Sequence, residues 1–157
     1  MATEIERKFL VLNDDWRRQA APGARLRQGY LSSGAACSIR VRSAGDHAQL
    51  NIKSATLGVS RREYEYAIPV GDASELLDHF CDGPLIEKTR YAVEYAGHVW
   101  EVDVFEGDNA GLIVAEIELD SEDEVFEKPA WAGVEVSHDP RYYNVCLVKH
   151  PYKDWRP

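Results

Sequence analysis

Same-sign charges recur two residues apart along this chain. Glu4 with Glu6, Glu101 with Asp103 and Glu116 with Glu118 are acidic pairs; Arg40 with Arg42 and Lys88 with Arg90 are basic ones. Side chains at i and i+2 of a strand share a face. Each pair would therefore stand side by side, with Lys8 extending the Glu4–Glu6 row and apolar residues such as Ile5, Phe9, Val41, Val102 and Ile117 turned the other way. Arg61, Glu63 and Glu65 form a mixed row, and Lys53 stands opposite Leu50 and Ile52. Neighbours two apart lie about 6.8 Å from each other, where like unit charges repel by about 2.4 kcal/mol at an effective dielectric near 20. Three acidic pairs in a confined space would be costly without a cation among them. Clustered carboxylates suit hard, oxygen-seeking ions such as Mg2+ or Mn2+. Clustered Arg and Lys suit phosphate oxygens, which Arg grips through two parallel hydrogen bonds. An acidic cluster facing a basic one describes a site for a metal–polyphosphate complex.

The competing explanation is a set of half-buried strands that turn their charges to water. Three features oppose it. A solvated face gains from mixed signs, whereas these pairs are single-sign. The signs also sort by strand, acids in the first and last two and bases between. Finally, the pairs use short Glu and Asp or forked Arg, with little Lys. No Gly-x-x-x-x-Gly-Lys-Ser/Thr loop is present, so this is not a Walker-type nucleotide site.

The elements that must position these residues are short alternating runs broken by Gly, Pro, Asn or Asp, the texture of a mainly antiparallel β protein. The pattern predicts strands at Thr3–Val11, Arg25–Leu31, Cys37–Arg42, His47–Ser54, Ser60–Ile68, Leu85–Tyr95, His98–Phe105 and Leu112–Leu119, with a short one at Gly133–Val136. Gly97 with His98 is the expected hairpin turn between two long strands. Leu76, Leu77 and Phe80 place a helix over Asp72–Cys81, with Asp72 as its cap. Weaker helical patterns cover Asp14–Ala20, Ser121–Phe126 and Tyr142–His150. Eight strands is also the number at which a sheet closes into a barrel with a side-chain-lined interior.

Composition sets bounds on this scheme. The chain has 157 residues, 45% hydrophobic and 29% charged, ordinary values for a globular protein of about one domain; the expectation is a single domain over residues 1–157. The formal net charge of −9 argues against nonspecific nucleic-acid or anionic-membrane partners, whose binders are normally basic. That average hides an asymmetry: from Glu101 to Asp139 the only base is Lys128. Cys37, Cys81 and Cys146 are scattered and form no Cys-x-x-Cys pair, which suits buried thiols in a reducing cytoplasm. No apolar run reaches the roughly 18 residues of a membrane span, and the charged start has no signal-peptide pattern.

Glu4-Ile5-Glu6-Arg7-Lys8 is similar to the N-terminal Glu-x-Glu-x-Lys signature of the CYTH superfamily, the triphosphate tunnel metalloenzymes. The rest of the pattern follows in family order through Gln28-Gly29-Tyr30-Leu31, Arg40-Val41-Arg42, Asn51-Ile52-Lys53, Arg62-Glu63-Tyr64-Glu65, Glu87-Lys88-Thr89-Arg90, Trp100–Phe105, Ala115–Leu119 and Gly133–Val136. The resemblance implies a mainly β (α+β) fold, a closed eight-stranded antiparallel β-barrel tunnel with helices packed outside and charge inside. It implies a divalent-metal cluster, for Mg2+ or Mn2+, of Glu4, Glu6, Asp103, Glu116 and Glu118. Lys8, Arg40, Arg42, Lys53, Lys88 and Arg90 would clamp a triphosphate. Glu63, Glu65 and Glu101 would orient or support the bases, Glu63 being also in reach of a second metal. Tyr30 and Lys88 match a Lys–Tyr pair proposed to assist hydrolysis, the ammonium favouring phenolate as general base.

Within the family this chain most resembles the short bacterial inorganic triphosphatases. The implied activity is metal-dependent hydrolysis of inorganic triphosphate, a small-molecule substrate, by a cytoplasmic protein, with a homodimer compatible with apolar outer faces. The same tunnel also serves class IV adenylate cyclases, which need a base-recognition pocket. It serves thiamine triphosphatases too, which need aromatics at the tunnel mouth; Trp16, Trp131 and Trp155 are the candidates. A noncatalytic polyphosphate- or nucleotide-binding module is the alternative of another class. The acidic cluster speaks against it, since a pure anion binder has little use for carboxylates.

Overall fold

The computed structural model describes residues 3–55 and 58–155. Nine strands form one antiparallel sheet: β1 (Thr3–Val11), β2 (Ala24–Ser33), β3 (Cys37–Ala44), β4 (His47–Ser54), β5 (Ser60–Ala67), β6 (Asp82–Tyr95), β7 (His98–Phe105), β8 (Ile113–Leu119) and β9 (Ala132–Glu135). The order is β5-β4-β3-β2-β6-β7-β8-β1-β9, and a β1–β5 pairing closes the first eight strands into a barrel. β1 makes this closure possible by splitting one edge between two partners. Its Thr3–Ile5 half pairs with β5, while Phe9 and Val11 pair with β9; the other edge runs along β8. Each strand predicted from alternation is present, with ends shifted by at most three residues. The β6–β7 turn sits one residue earlier than expected. Tyr95 pairs with His98, and the turn residues Ala96 and Gly97 take φ values of 48° and 82°.

The wall sorts its side chains by parity. Phe9, Trp100, Val102 and Ile117 face outward from β1, β7 and β8 into a buried cluster covered by Trp16 and Trp131. Trp16 is seated there by a turn of 3-10 helix, Asp15–Gln19. On the opposite side Val41 and Ala48 are covered by Ala73 and Leu77 of α1 (Val70–His79). That helix begins earlier than its expected cap: Pro69 is the N-cap residue, and Asp72 lies in the first turn without capping it.

The third cluster lies inside the barrel. Ile86, Phe105 and Val114 have the same parity as Lys88, Asp103 and Glu116, and they pack with Tyr142 and Leu147. Tyr142 ends a 3-10 turn, Pro140–Tyr142, and Leu147 belongs to α2 (Asn144–Lys149). An apolar layer therefore covers one end of the charged interior. The expected helix at Ser121–Phe126 is absent. There the Glu124 carboxylate accepts from the Asp120 backbone N–H at 2.6 Å and lies 2.6 Å from His98 Nε2. Side-chain bonds thus hold an irregular turn that points Phe126 at Phe9 and Trp100. Among the described residues no helix is long and apolar enough to cross a membrane.

Candidate active site

Strand parity turns the charged rows inward around a cavity of about 310 Å3. Seven bases (Lys8, Arg40, Arg42, Lys53, Arg61, Lys88, Arg90) and seven acids (Glu4, Glu6, Glu63, Glu65, Glu101, Glu116, Glu118) line it. The only aromatic side chains on the wall, among the described residues, are Tyr30 and Tyr143. Glu65 and Glu118 are exposed at the open end, whereas Lys8 and Lys88 are buried toward the covered end.

Four of the bases are held by carboxylates. Lys53 Nζ lies 3.1 Å from Glu4 and 3.0 Å from Glu63. Lys8 Nζ lies 3.5 Å from Glu116. Lys88 donates to Asp103 Oδ2 at 2.7 Å, and Arg90 grips the same carboxylate through Nε at 2.8 Å and Nη2 at 3.0 Å. Arg90 also reaches Glu101 at 3.2 Å. By contrast, Arg40, Arg42 and Arg61 have no carboxylate at ion-pair distance among the described residues. Arg42 donates only to Gln49, at 3.3 Å. The Nε atoms of Arg40 and Arg61 are buried without an acceptor. Buried charge without a partner is costly, so these three guanidiniums are poised for an anion from outside. Burial, with the charges of Arg40 and Arg90, pulls Arg42 down to about 10.

The carboxylates tell the complementary story. Burial, and then the charge of the neighbouring Glu116, push Glu6 up to about 8. Glu116 feels the same burial, but Lys8, Arg90 and Lys88 outweigh it and hold it well below the usual range. Glu4 and Glu118 are raised, first by burial, although Lys53 moderates Glu4. Asp103 stays low because Lys88 and Arg90 overcome its burial.

The closed antiparallel barrel has counterparts among known proteins. The CYTH domain profile matches residues 2–143. The chain belongs to the CYTH family. It is 49% identical over 156 residues to an inorganic triphosphatase of Acetivibrio thermocellus, covering 99% of each chain. It is 41% identical over 151 residues to an inorganic triphosphatase of Nitrosomonas europaea, covering 93% of this chain and 97% of that one. A crystal structure of an inorganic triphosphatase superposes with a TM-score of 0.66 at 36% identity, over 94% of this chain and 95% of the other.

The residues singled out by the CYTH pattern all line the cavity except Asp103. Asp103 sits behind the wall, fully buried, with both oxygens taken by Lys88 and Arg90. Glu63 touches Lys53, whereas Glu65 accepts from Asn51 at 3.0 Å and, among the described residues, reaches no base at ion-pair distance. Tyr30 is buried on the wall and faces Arg40 across the β2–β3 ladder. The candidate mouth aromatics are elsewhere: Trp16 and Trp131 are buried in the outer cluster, and Trp155 packs on Tyr142 and Tyr152.

Arg61 and Asn144 line the cavity as well and were not singled out. Arg61 had a signal, the parity it shares with Glu63 and Glu65. Asn144 had none. For a cation the described wall supplies oxygen donors, mainly carboxylates, and no imidazole or thiolate, the donor set of a hard divalent ion. Among the described residues no three metal-type ligands converge on one point, because Lys53 and Lys8 hold Glu4 and Glu116.

Proposed function

We propose that this chain hydrolyses inorganic triphosphate to diphosphate and phosphate, using Mg2+ or Mn2+ held by Glu4, Glu6, Glu116 and Glu118. The observation that carries this is that three arginines without a carboxylate partner and a cluster of carboxylates share one cavity of balanced charge. A bare anion would satisfy the arginines and be repelled by the acids, and a bare cation the reverse. A ligand bearing both signs meets both. The donor chemistry fits the cation, since a divalent ion held by these carboxylates would relieve the charge that Glu116 and burial set against Glu6.

When bound, the cation supplies neutralising charge on the phosphate oxygens. The chain's own residues do the rest. Arg40, Arg42 and Arg61 donate to the triphosphate, and Lys53, Lys88 and Arg90 add fixed positive charge around it. Asp103 anchors Lys88 and Arg90 in place and takes no part as a ligand. Water oxygen forms a bond to the terminal phosphorus as the bridging P–O bond breaks, and the electron pair leaves with diphosphate. Tyr30, on the cavity wall with Lys88, takes the water's proton as general base. Positioning and electrostatics supply most of the acceleration in such a reaction. The substrate is a small anion, free of nucleic acid or membrane, consistent with the acidic chain. The three free cysteines suit the cytoplasm.

Phosphate release from tripolyphosphate, ATP and thiamine triphosphate, each with Mg2+, Mn2+ or EDTA, tests the proposal. The expected result is EDTA-sensitive turnover fastest on tripolyphosphate. Cyclic nucleotide and diphosphate from ATP would indicate a cyclase instead. Tight tripolyphosphate binding without turnover under any metal would leave a binding module.

A further inference from the structure

The turn leading into α2 puts three consecutive residues against three different cations of the wall. The Tyr142 carbonyl accepts from Lys8 Nζ at 3.1 Å. The Tyr143 ring lies 5.3 Å from the Arg61 guanidinium carbon, and its hydroxyl donates to the Ser137 carbonyl at 2.7 Å. Asn144 Oδ1 accepts from Lys88 Nζ at 3.0 Å and from Gln28 Nε2 at 3.1 Å.

The third contact limits what Lys88 can do. An ammonium has three N–H donors and no lone pair. Asp103 Oδ2 takes one donor and Asn144 Oδ1 a second. Asp103 alone would leave the ammonium free to swing about that one contact. Two acceptors on separate elements, β7 and α2, hold the nitrogen in place and leave the third N–H a single direction. Lys88 lines the cavity, and this remaining N–H is the one left for a ligand there. The amide cannot face the lysine the other way round, because its NH2 group has no lone pair to offer. Gln28, fully buried on β2, donates to the same oxygen and fixes the amide in turn.

We propose that Asn144 is a positioning residue for Lys88, fixing the direction of its remaining N–H toward the reacting phosphate. This rests on the triphosphate hydrolysis proposed above, and it adds a residue one position beyond the CYTH match, which ends at 143.

The full chain is compared as wild type, Asn144→Leu and Asn144→Asp. Leucine fills nearly the same volume and preserves any role that is only packing. Aspartate keeps the acceptor for Lys88 but places a charge at the amide's other end, on the cavity wall. On tripolyphosphate with Mg2+, Asn144→Leu should lower kcat about tenfold to a hundredfold with KM within about threefold, the usual range for losing a hydrogen bond to a charged group. Asn144→Asp should keep kcat within about fivefold and raise KM instead. A second readout needs no turnover: the 1H–15N signal of the Lys88 ammonium without metal or substrate, assigned by its loss in Lys88→Arg. It should persist in Asn144→Asp and broaden away in Asn144→Leu. Wild-type kcat together with an unchanged ammonium signal in Asn144→Leu overturns the proposal, and so does loss of the signal in Asn144→Asp. Should wild type release no phosphate, the hydrolytic assignment fails by itself, while the ammonium spectra still decide whether Asn144 holds Lys88.

Discussion

Glu6 gives the barrel interior a pH dependence with a definite sign. The folded chain keeps a proton on Glu6 up to about pH 8, whereas the unfolded chain releases it near 4.5. Stability from this proton is complete below 4.5 and is lost as pH climbs through 8. Without metal, Tm should therefore fall between those limits, and Glu6→Gln should flatten the slope. Added Mg2+ should raise Tm more at the upper end of the window than at the lower, because it no longer has to displace the proton. Calorimetry across the window checks both; a wild-type profile that is flat or rises with pH contradicts a proton held on Glu6. Two further side chains separate binding from scaffold. Arg42→Ala removes a guanidinium that has no carboxylate partner to strand, and Glu116→Gln keeps its size. Each should cut phosphate release from tripolyphosphate by at least about a hundredfold, with Tm in Arg42→Ala within a few degrees of wild type. A rate within about threefold in either variant would remove that residue from the site.

At the scale of elements, two backbone positions show why the strands meet as they do. A Cβ on Gly29 would lie 2.6 Å from Cys81 Sγ and 2.6 Å from Leu85 Cδ2. This is the glycine of the Gln28–Leu31 motif, and it lets the chain leaving α1 pass close over β2. Gly29→Ala should cost about 1–3 kcal/mol through forced displacement, read as a fall in Tm. The opposite sign is expected at Ala96, a non-glycine held at φ 48° in the β6–β7 turn. Ala96→Asn, or Ala96→Gly, should stabilise by about 0.5–1 kcal/mol, since both tolerate positive φ, and an unchanged or lower Tm would argue against strain there. The strands and their inward rows were legible in the sequence because alternation is local: parity alone assigns Glu4, Lys8, Arg40 and Glu116 to the same face. The contacts of the α2 turn were not. Asn144 lies 56 residues from Lys88, and the weak helical pattern over Tyr142–His150 says nothing of which strand it meets. Asp103 shows the converse limit. Parity places it inside, but parity says nothing of depth, and whether a carboxylate meets a ligand or two neighbouring cations depends on a ladder partner such as Arg90.

For the molecule as a whole, charge is divided between an inside and an outside that behave differently. The cavity wall is balanced, seven bases to seven acids with Asp103 behind it, so the formal net charge of −9 belongs almost entirely to the rest of the protein. The open end itself carries exposed Glu65 and Glu118. A polyanion therefore approaches against a repulsive field and finds attraction only after it has entered. Long-range repulsion between exposed charges is screened over a Debye length of about 10 Å at 0.1 M salt, whereas contacts in a buried site are screened much less. Raising NaCl from about 10 to about 150 mM at fixed, saturating Mg2+ should thus raise kcat/KM for tripolyphosphate, leaving kcat nearly constant. A basic anion trap would do the reverse, losing kcat/KM steeply as its own attraction was screened. Glu65→Gln separates the mouth from the global field. If the rim sets the barrier, this variant loses much of the salt response; if the whole exterior sets it, the response survives. A kcat/KM that falls with salt in wild type would mean that the unpaired arginines are felt outside the barrel, and that the incoming ligand does not experience the wall as balanced.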